Sequence, residues 1–280
     1  MLKKLLKYDL RATFKYWWVA AVSSLGLAVL CGFATKILSD PELSQSIVFS
    51  ILSVLIVILT VIGTSAFIVA AEIFIYVRFY QNFFSDEGYL TFTLPVKRHQ
   101  LLNSKIISAM LVSFATIMVV FLDIFTVIFV HSGFEMFTSE FLGYIFEIFG
   151  IAIDGAFAEL GFLAVVYIIE FIVLIFLSAL FGLLMVFAAI TFAAMITKKN
   201  KVIAAIGIYY GANSVISIVM QVIMTISLTS VNGWLTIIPT DALSGLGSIL
   251  LLVSIALVGA ATVALYAFVH WMLDRKLNLA

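Results

Sequence analysis

The stretch IVFSILSVLIVILTVIGTSAFIVAAEIFIYV, residues 47–77, is apolar throughout apart from a few hydroxyls and one ionisable residue, Glu72. Crossing a hydrocarbon core of about 30 Å takes about 20 helical residues, so the run can span a bilayer with residues to spare. A barrel strand would be short and alternating, whereas a long unbroken run of this kind satisfies its backbone internally as a helix. Five further runs share this character: Tyr16 to Ile37, Ile106 to Val130, Leu160 to Thr197, Val202 to Leu228 and Ile249 to Leu273. The expected fold is an all-α polytopic membrane protein with six transmembrane helices, residues 1–280 forming a single transmembrane domain.

Composition agrees. The chain is 64% hydrophobic and 11% charged, with a mean hydropathy of +1.25, whereas apolar residues make up about half of a soluble domain. Its net charge is zero, which leaves no excess of positive charge to attract nucleic acid. The single Cys31 lies inside the first run and rules out an internal disulfide framework; it reads as a small packing residue.

Charge predicts the orientation. Lys3, Lys4, Lys7, Arg11 and Lys15 precede the first run, Arg78, Lys97, Arg98 and Lys105 lie between the second and third, Lys198, Lys199 and Lys201 between the fourth and fifth, and Arg275 and Lys276 after the sixth. Only Lys36 falls on the other side, where Asp40, Glu42, Glu135, Glu140, Glu147, Asp154, Glu159 and Asp241 collect. The positive-inside rule then puts both termini in the cytoplasm, as an even number of spans requires.

Residues 1–16 read as an interfacial amphipathic helix. Leu2, Leu6, Leu10 and Phe14 recur every fourth residue beside a Lys3, Lys7, Arg11 and Lys15 stripe, and Trp17 and Trp18 mark the headgroup level. The alternative is a basic flank that only sets topology. The outer connection from Ser132 to Glu159 is too apolar for a free loop and is expected to lie against the membrane or dip into the protein.

Several chemistries are disfavoured. No Gly-rich phosphate loop with its Lys and hydroxyl residue occurs, so any ATP that drives the protein must be handled by another subunit. His99, His131 and His270 are scattered, with no His-Glu-x-x-His pair, so neither a metal nor a catalytic role is expected. Four ionisable residues fall within or near the runs: Glu72, Asp123, Glu170 and His270. Glu72 and His270 are close enough to the ends to snorkel, while Asp123 and Glu170 are candidates to face a substrate cavity or one another. Asn213, Ser217 and Gln221 recur at four-residue spacing on one face of the fifth span, as a buried helix contact or a lined pathway would require. Gly207 with Gly211, and Ala256 with Ala260 and Ala264, make small faces that suit close packing within the subunit or against a second one.

The segment from Tyr80 to Lys105, YQNFFSDEGYLTFTLPVKRHQLLNSK, differs from everything around it. It is charged, yet carries Phe83, Phe84, Tyr89, Leu90, Phe92 and Leu94, which a merely solvated connection would not need. A turn is expected at Asp86-Glu87-Gly88 and a break before Pro95, which can open the next helix. The composition suits a docking surface; the alternative is an interfacial segment whose aromatics enter the headgroups.

Asp86-Glu87-Gly88-Tyr89-Leu90-Thr91-Phe92-Thr93-Leu94-Pro95-Val96 followed by Lys97-Arg98, with the basic N-terminus and six spans, resembles the permease subunits of bacterial ABC-2-type ABC transporters, particularly those of Gram-positive anaerobes. The resemblance covers essentially the whole chain. It implies a non-catalytic exporter subunit in a bacterial plasma membrane, paired with a second permease subunit and docked on two ATPases that bind the ATP and Mg. The inner loop would be the coupling element, with Phe83, Phe84, Asp86, Glu87, Gly88, Tyr89, Leu90, Phe92, Leu94 and Pro95 meeting the ATPase. Residues 1–16 would be the connecting helix. One departure is the larger outer connection, here between spans three and four, where better-known members carry theirs between five and six. Two alternatives from other classes are a membrane immunity or sensor protein that binds a toxic peptide or lipid without transport, and an ion-coupled carrier using Asp123 and Glu170.

Overall fold

The computed structural model describes residues 2–85, 88, 96–133, 138–197, 200–234 and 240–275. Among them there is no strand. The helices whose bounds fall among the described residues are, in order, α1 (Leu2–Ser39), α2 (Ile47–Phe84), α3 (Arg98–Ser132), α4 (Ser139–Leu160), α5 (Leu163–Ile196), α6 (Lys201–Trp234) and α7 (Thr240–Arg275). All but α4 contain a stretch long and apolar enough to cross a membrane, and these six correspond to the six runs in the sequence. With 34 to 38 residues apiece, they reach about 50–57 Å, well beyond the hydrocarbon thickness.

Two boundaries differ from expectation. α1 runs unbroken from Leu2 to Ser39, so residues 2–16 are the first turns of the spanning helix and not a separate interfacial one. Nothing between them stops a helix: the chain has no Pro before Pro41, and the helix ends where Asp40 Oδ1 accepts the backbone N–H of Glu42 at 2.9 Å. The outer connection is largely the helix α4, and the fourth span begins at Leu163, not Leu160. Gly161 makes that break. Its φ is +55°, and its N–H donates to Phe157 O at 2.9 Å, the left-handed cap that closes a helix.

The chain divides into two compact units, Met1–Asn82 with Gln100–Gly150 and Phe83–His99 with Ile151–Ala280. In the first, α1 presents Trp17, Ala21, Ser24, Ala28, Cys31 and Ala34 at three- and four-residue spacing, all buried. Cys31 is free and sits in this packed face. From α2 come Phe67, Ala71, Ile75 and Phe79, and from α3 Val112, Thr116 and Val119. The small face of α1 lets backbones approach closely, which is how membrane helices gain dispersion energy when lipid is as apolar as they are. In the second unit α5 packs chiefly on α7 and less on α6. Phe187, Ala193, Val269 and Leu273 are almost wholly buried there, and Phe192 meets Phe268 with ring centroids 6.2 Å apart.

Much of the remaining surface is apolar, with Ile47, Val48, Val61, Ile62, Phe171, Ile172, Val202 and Leu257 exposed. Water would penalise each such side chain by about 1.5–3 kcal/mol relative to burial, so this surface suits lipid. A Cβ at Gly32 would lie 2.5 Å from Val130 Cβ, while one at Gly26 meets nothing within 4 Å. Gly32→Leu should therefore lower stability by about 1–3 kcal/mol, read as a lower melting temperature in detergent micelles, whereas Gly26→Leu should leave it unchanged or raised.

Candidate functional site

The first unit holds a buried ion pair that the sequence reading missed. Lys105 Nζ on α3 pairs with Asp9 Oδ1 on α1, and Ser104 Oγ donates to Asp9 Oδ2 at 2.8 Å. Both carboxylate oxygens are thus satisfied, which a buried charge requires. The signal was present. Asp9 follows Leu2 by seven residues, almost two turns, so it sits on the apolar side of the amphipathic segment. Lys3, Lys7, Arg11 and Lys15 lie on the exposed side, and Leu6, Leu10 and Phe14 are half-buried, as the periodicity predicts.

The paired tryptophans divide. Trp18 is 55% exposed, whereas Trp17 is buried, and its Nε1 donates to Thr116 Oγ1 on α3 at 2.9 Å. Trp17 therefore belongs to the packed face of α1. Consecutive helical residues point about 100° apart, so one of two adjacent tryptophans can be buried while the other is exposed.

Each carboxylate inside a span finds a hydroxyl in its own unit. Ser24 Oγ lies 3.5 Å from Asp123 Oδ1, and Ser248 Oγ on α7 donates to Glu170 Oε1 on α5 at 2.8 Å. Both residues are 4% exposed, and among the described residues Asp123 Oδ2 and Glu170 Oε2 have no hydrogen-bond partner. Beside Glu170 the packing is tight, because a Cβ at Gly247 would strike the Tyr167 hydroxyl. Glu72, expected to snorkel, instead accepts Ser113 Oγ at 3.1 Å.

On α6, Asn213, Ser217 and Gln221 are exposed, so no helix of their own chain buries them. Gly207 and Gly211 likewise have open space where a Cβ would stand, and Ala256, Ala260 and Ala264 are exposed. Among the described residues these small faces stay open.

The inner segment is shorter than its composition suggested. α2 continues to Phe84, and α3 begins at Arg98. The N–H of Gly88 donates to Ser85 O at 2.8 Å. Phe83 is 1% exposed and Gly88 is buried, so neither presents a surface to a partner. Phe84 is half-buried, its ring 6.3 Å from that of Phe83. Asp86, Glu87, Tyr89, Leu90, Phe92, Leu94 and Pro95 lie outside the described residues. At the end of the segment Arg98 Nη1 donates to Leu273 O at 2.8 Å and Asp274 O at 2.6 Å, and lies 3.5 Å from Asp274 Oδ1. His270 Nδ1 is 3.2 Å from the other oxygen of Asp274. The residues of Phe83–His99 accordingly belong to the compact unit that contains α7, and not to that of the helices they connect.

Comparison with known proteins finds no matching family model, no similar curated protein and no similar solved structure.

Breaking the Asp9–Lys105 pair from one side should be costly. Lys105→Met strands a buried carboxylate and should destabilise the protein by about 3–5 kcal/mol, while Asp9→Leu combined with Lys105→Met should recover much of that loss. Melting temperatures of the two variants in detergent test this directly.

Proposed function

We propose that the chain is the non-catalytic transmembrane subunit of an ATP-driven exporter, with the segment at residues 83–99 as its contact to a separate ATPase. One observation chiefly supports this reading: between the second and third of six membrane-length helices lies a segment that combines charges of both signs with aromatics, and its described end, Arg98, bonds to the last carbonyls of α7. Its sequence resembles that of ABC-2 permeases from Asp86 through Arg98. On this reading both termini are cytoplasmic, the membrane is a bacterial plasma membrane, and ATP and Mg are bound by the partner. Phe84, Asp86, Glu87, Tyr89, Leu90, Phe92, Leu94 and Pro95 are the docking residues, with Phe83 and Gly88 holding the segment in shape.

A second permease subunit completes the pathway. The exposed Asn213, Ser217 and Gln221 would then line the path or meet the other subunit, because polar side chains facing lipid are costly and tend to be functional. The small faces on α6 and α7 suit the same contact. An ion-coupled carrier is the second reading, favoured by the orphaned oxygens of Asp123 and Glu170.

Purification from native membranes should retain an ATPase. Charge reversal at Asp86 and Glu87 with Phe84→Ala and Leu90→Ala should abolish its retention while leaving the chain folded and inserted; undiminished retention counts against the docking site. In proteoliposomes the assembly should show vanadate-sensitive, ATP-dependent efflux, whereas efflux that follows an ion gradient without ATP selects the carrier reading.

A further inference from the structure

The last carbonyls of any helix lack intrahelical donors, and the end of α7 receives them from elsewhere. One nitrogen of Arg98 serves both Leu273 O and Asp274 O, while Asp274 is held in addition by the charge of Arg98 and by His270 one turn earlier. A guanidinium suits this place, since its planar fork is rigid and its charge complements the negative end of the helix. Val269, Met272 and Leu273 are buried, so the captured turn is seated in its unit and is not a fraying end.

At the far part of the same helix lies Ser248, 26 residues before Asp274 and about 39 Å along the axis. Its hydroxyl holds Glu170, whose second oxygen has no partner among the described residues. Glu170 sits on α5, the helix on which α7 packs most extensively. A displacement of α7 along its axis would alter the Ser248–Glu170 hydrogen bond.

We propose that Arg98 is the latch through which the inner segment moves α7, and that the Ser248–Glu170 contact is where that movement is felt. This rests on the reading of the segment as the ATPase contact, and it alters the expected route. Force on the segment is delivered to α7 through a side-chain grip, in addition to any passed along α2 and α3 by chain continuity. Arg98 is a positioning residue here; it is distinct from the docking residues.

A cysteine at Ile249, exposed and adjacent to Ser248, tests the route when labelled with bimane in a Cys31→Ser background of the complete membrane assembly. A second reporter at Ile107→Cys on α3 serves for comparison. In the intact chain, trapping with ATP and vanadate should change the emission of both labels. Arg98→Ala should retain the ATPase on purification and keep the response at Ile107→Cys, yet lose most of the response at Ile249→Cys; Arg98→Lys, which keeps the cation, should restore part of it. A full response at Ile249→Cys in Arg98→Ala, with the ATPase bound, overturns the latch alone. If the intact chain retains no ATPase, the functional reading falls and the latch falls with it.

Discussion

Hydrocarbon offers a buried polar atom no substitute for a protein partner, and this constraint orders the chain. The backbone meets it by becoming helical almost everywhere. The side chains meet it by pairing across helices: Trp17 with Thr116, Asp9 with Lys105 and Ser104, Ser113 with Glu72, Thr60 with the Leu27 carbonyl, and Ser248 with Glu170. Such bonds contribute only about 1 kcal/mol each on average, so their larger effect is to fix register. Helices sliding past one another would keep their dispersion contacts and lose their hydroxyl partners. Where partners run out, as at Asp123 Oδ2 and Glu170 Oε2, the chain carries a cost that packing must offset, and such places are the natural ones for function.

The two compact units give this constraint a functional consequence. The inner segment is chemically unlike the spans, and at its end Arg98 donates to the last carbonyls of α7. Arg98 thus groups with α5, α6 and α7, although the helix it opens, α3, groups from Gln100 onward with α1 and α2. A segment bonded at its end in this way can act on more of the molecule than the two helices it joins.

The spans were legible because a run such as residues 47–77 has only one way to satisfy its backbone in lipid, and the positions of all six follow from that. Their ends were not legible from hydropathy alone. Nothing apolar marks where a helix stops after leaving the membrane, and the unbroken α1 and the extension of α2 to Phe84 reflect the absence of any Pro or capping signal. The α4–α5 break depended on Gly161 adopting a left-handed φ, and a single Gly in an apolar run does not announce this. Among side chains, the isolated carboxylates drew attention through their cost. Asp9 escaped because four lysines and an arginine around it made the segment read as uniformly basic, and its partner Lys105 fitted the charge count of a loop. Trp17 and Trp18 look alike in sequence, and only the helical phase decides which of them is buried. Phe83 was assigned to a docking surface by composition, while the structure turns it inward.

The central claim is that the segment after α2 meets a nucleotide-hydrolysing protein outside the bilayer. The most direct measurement replaces Tyr89 with a benzophenone amino acid, irradiates native membranes, and identifies the covalent partner by mass spectrometry. A crosslink to a soluble-domain ATPase is the predicted result. Crosslinking to lipid alone, in membranes where the ATPases are abundant, would contradict it.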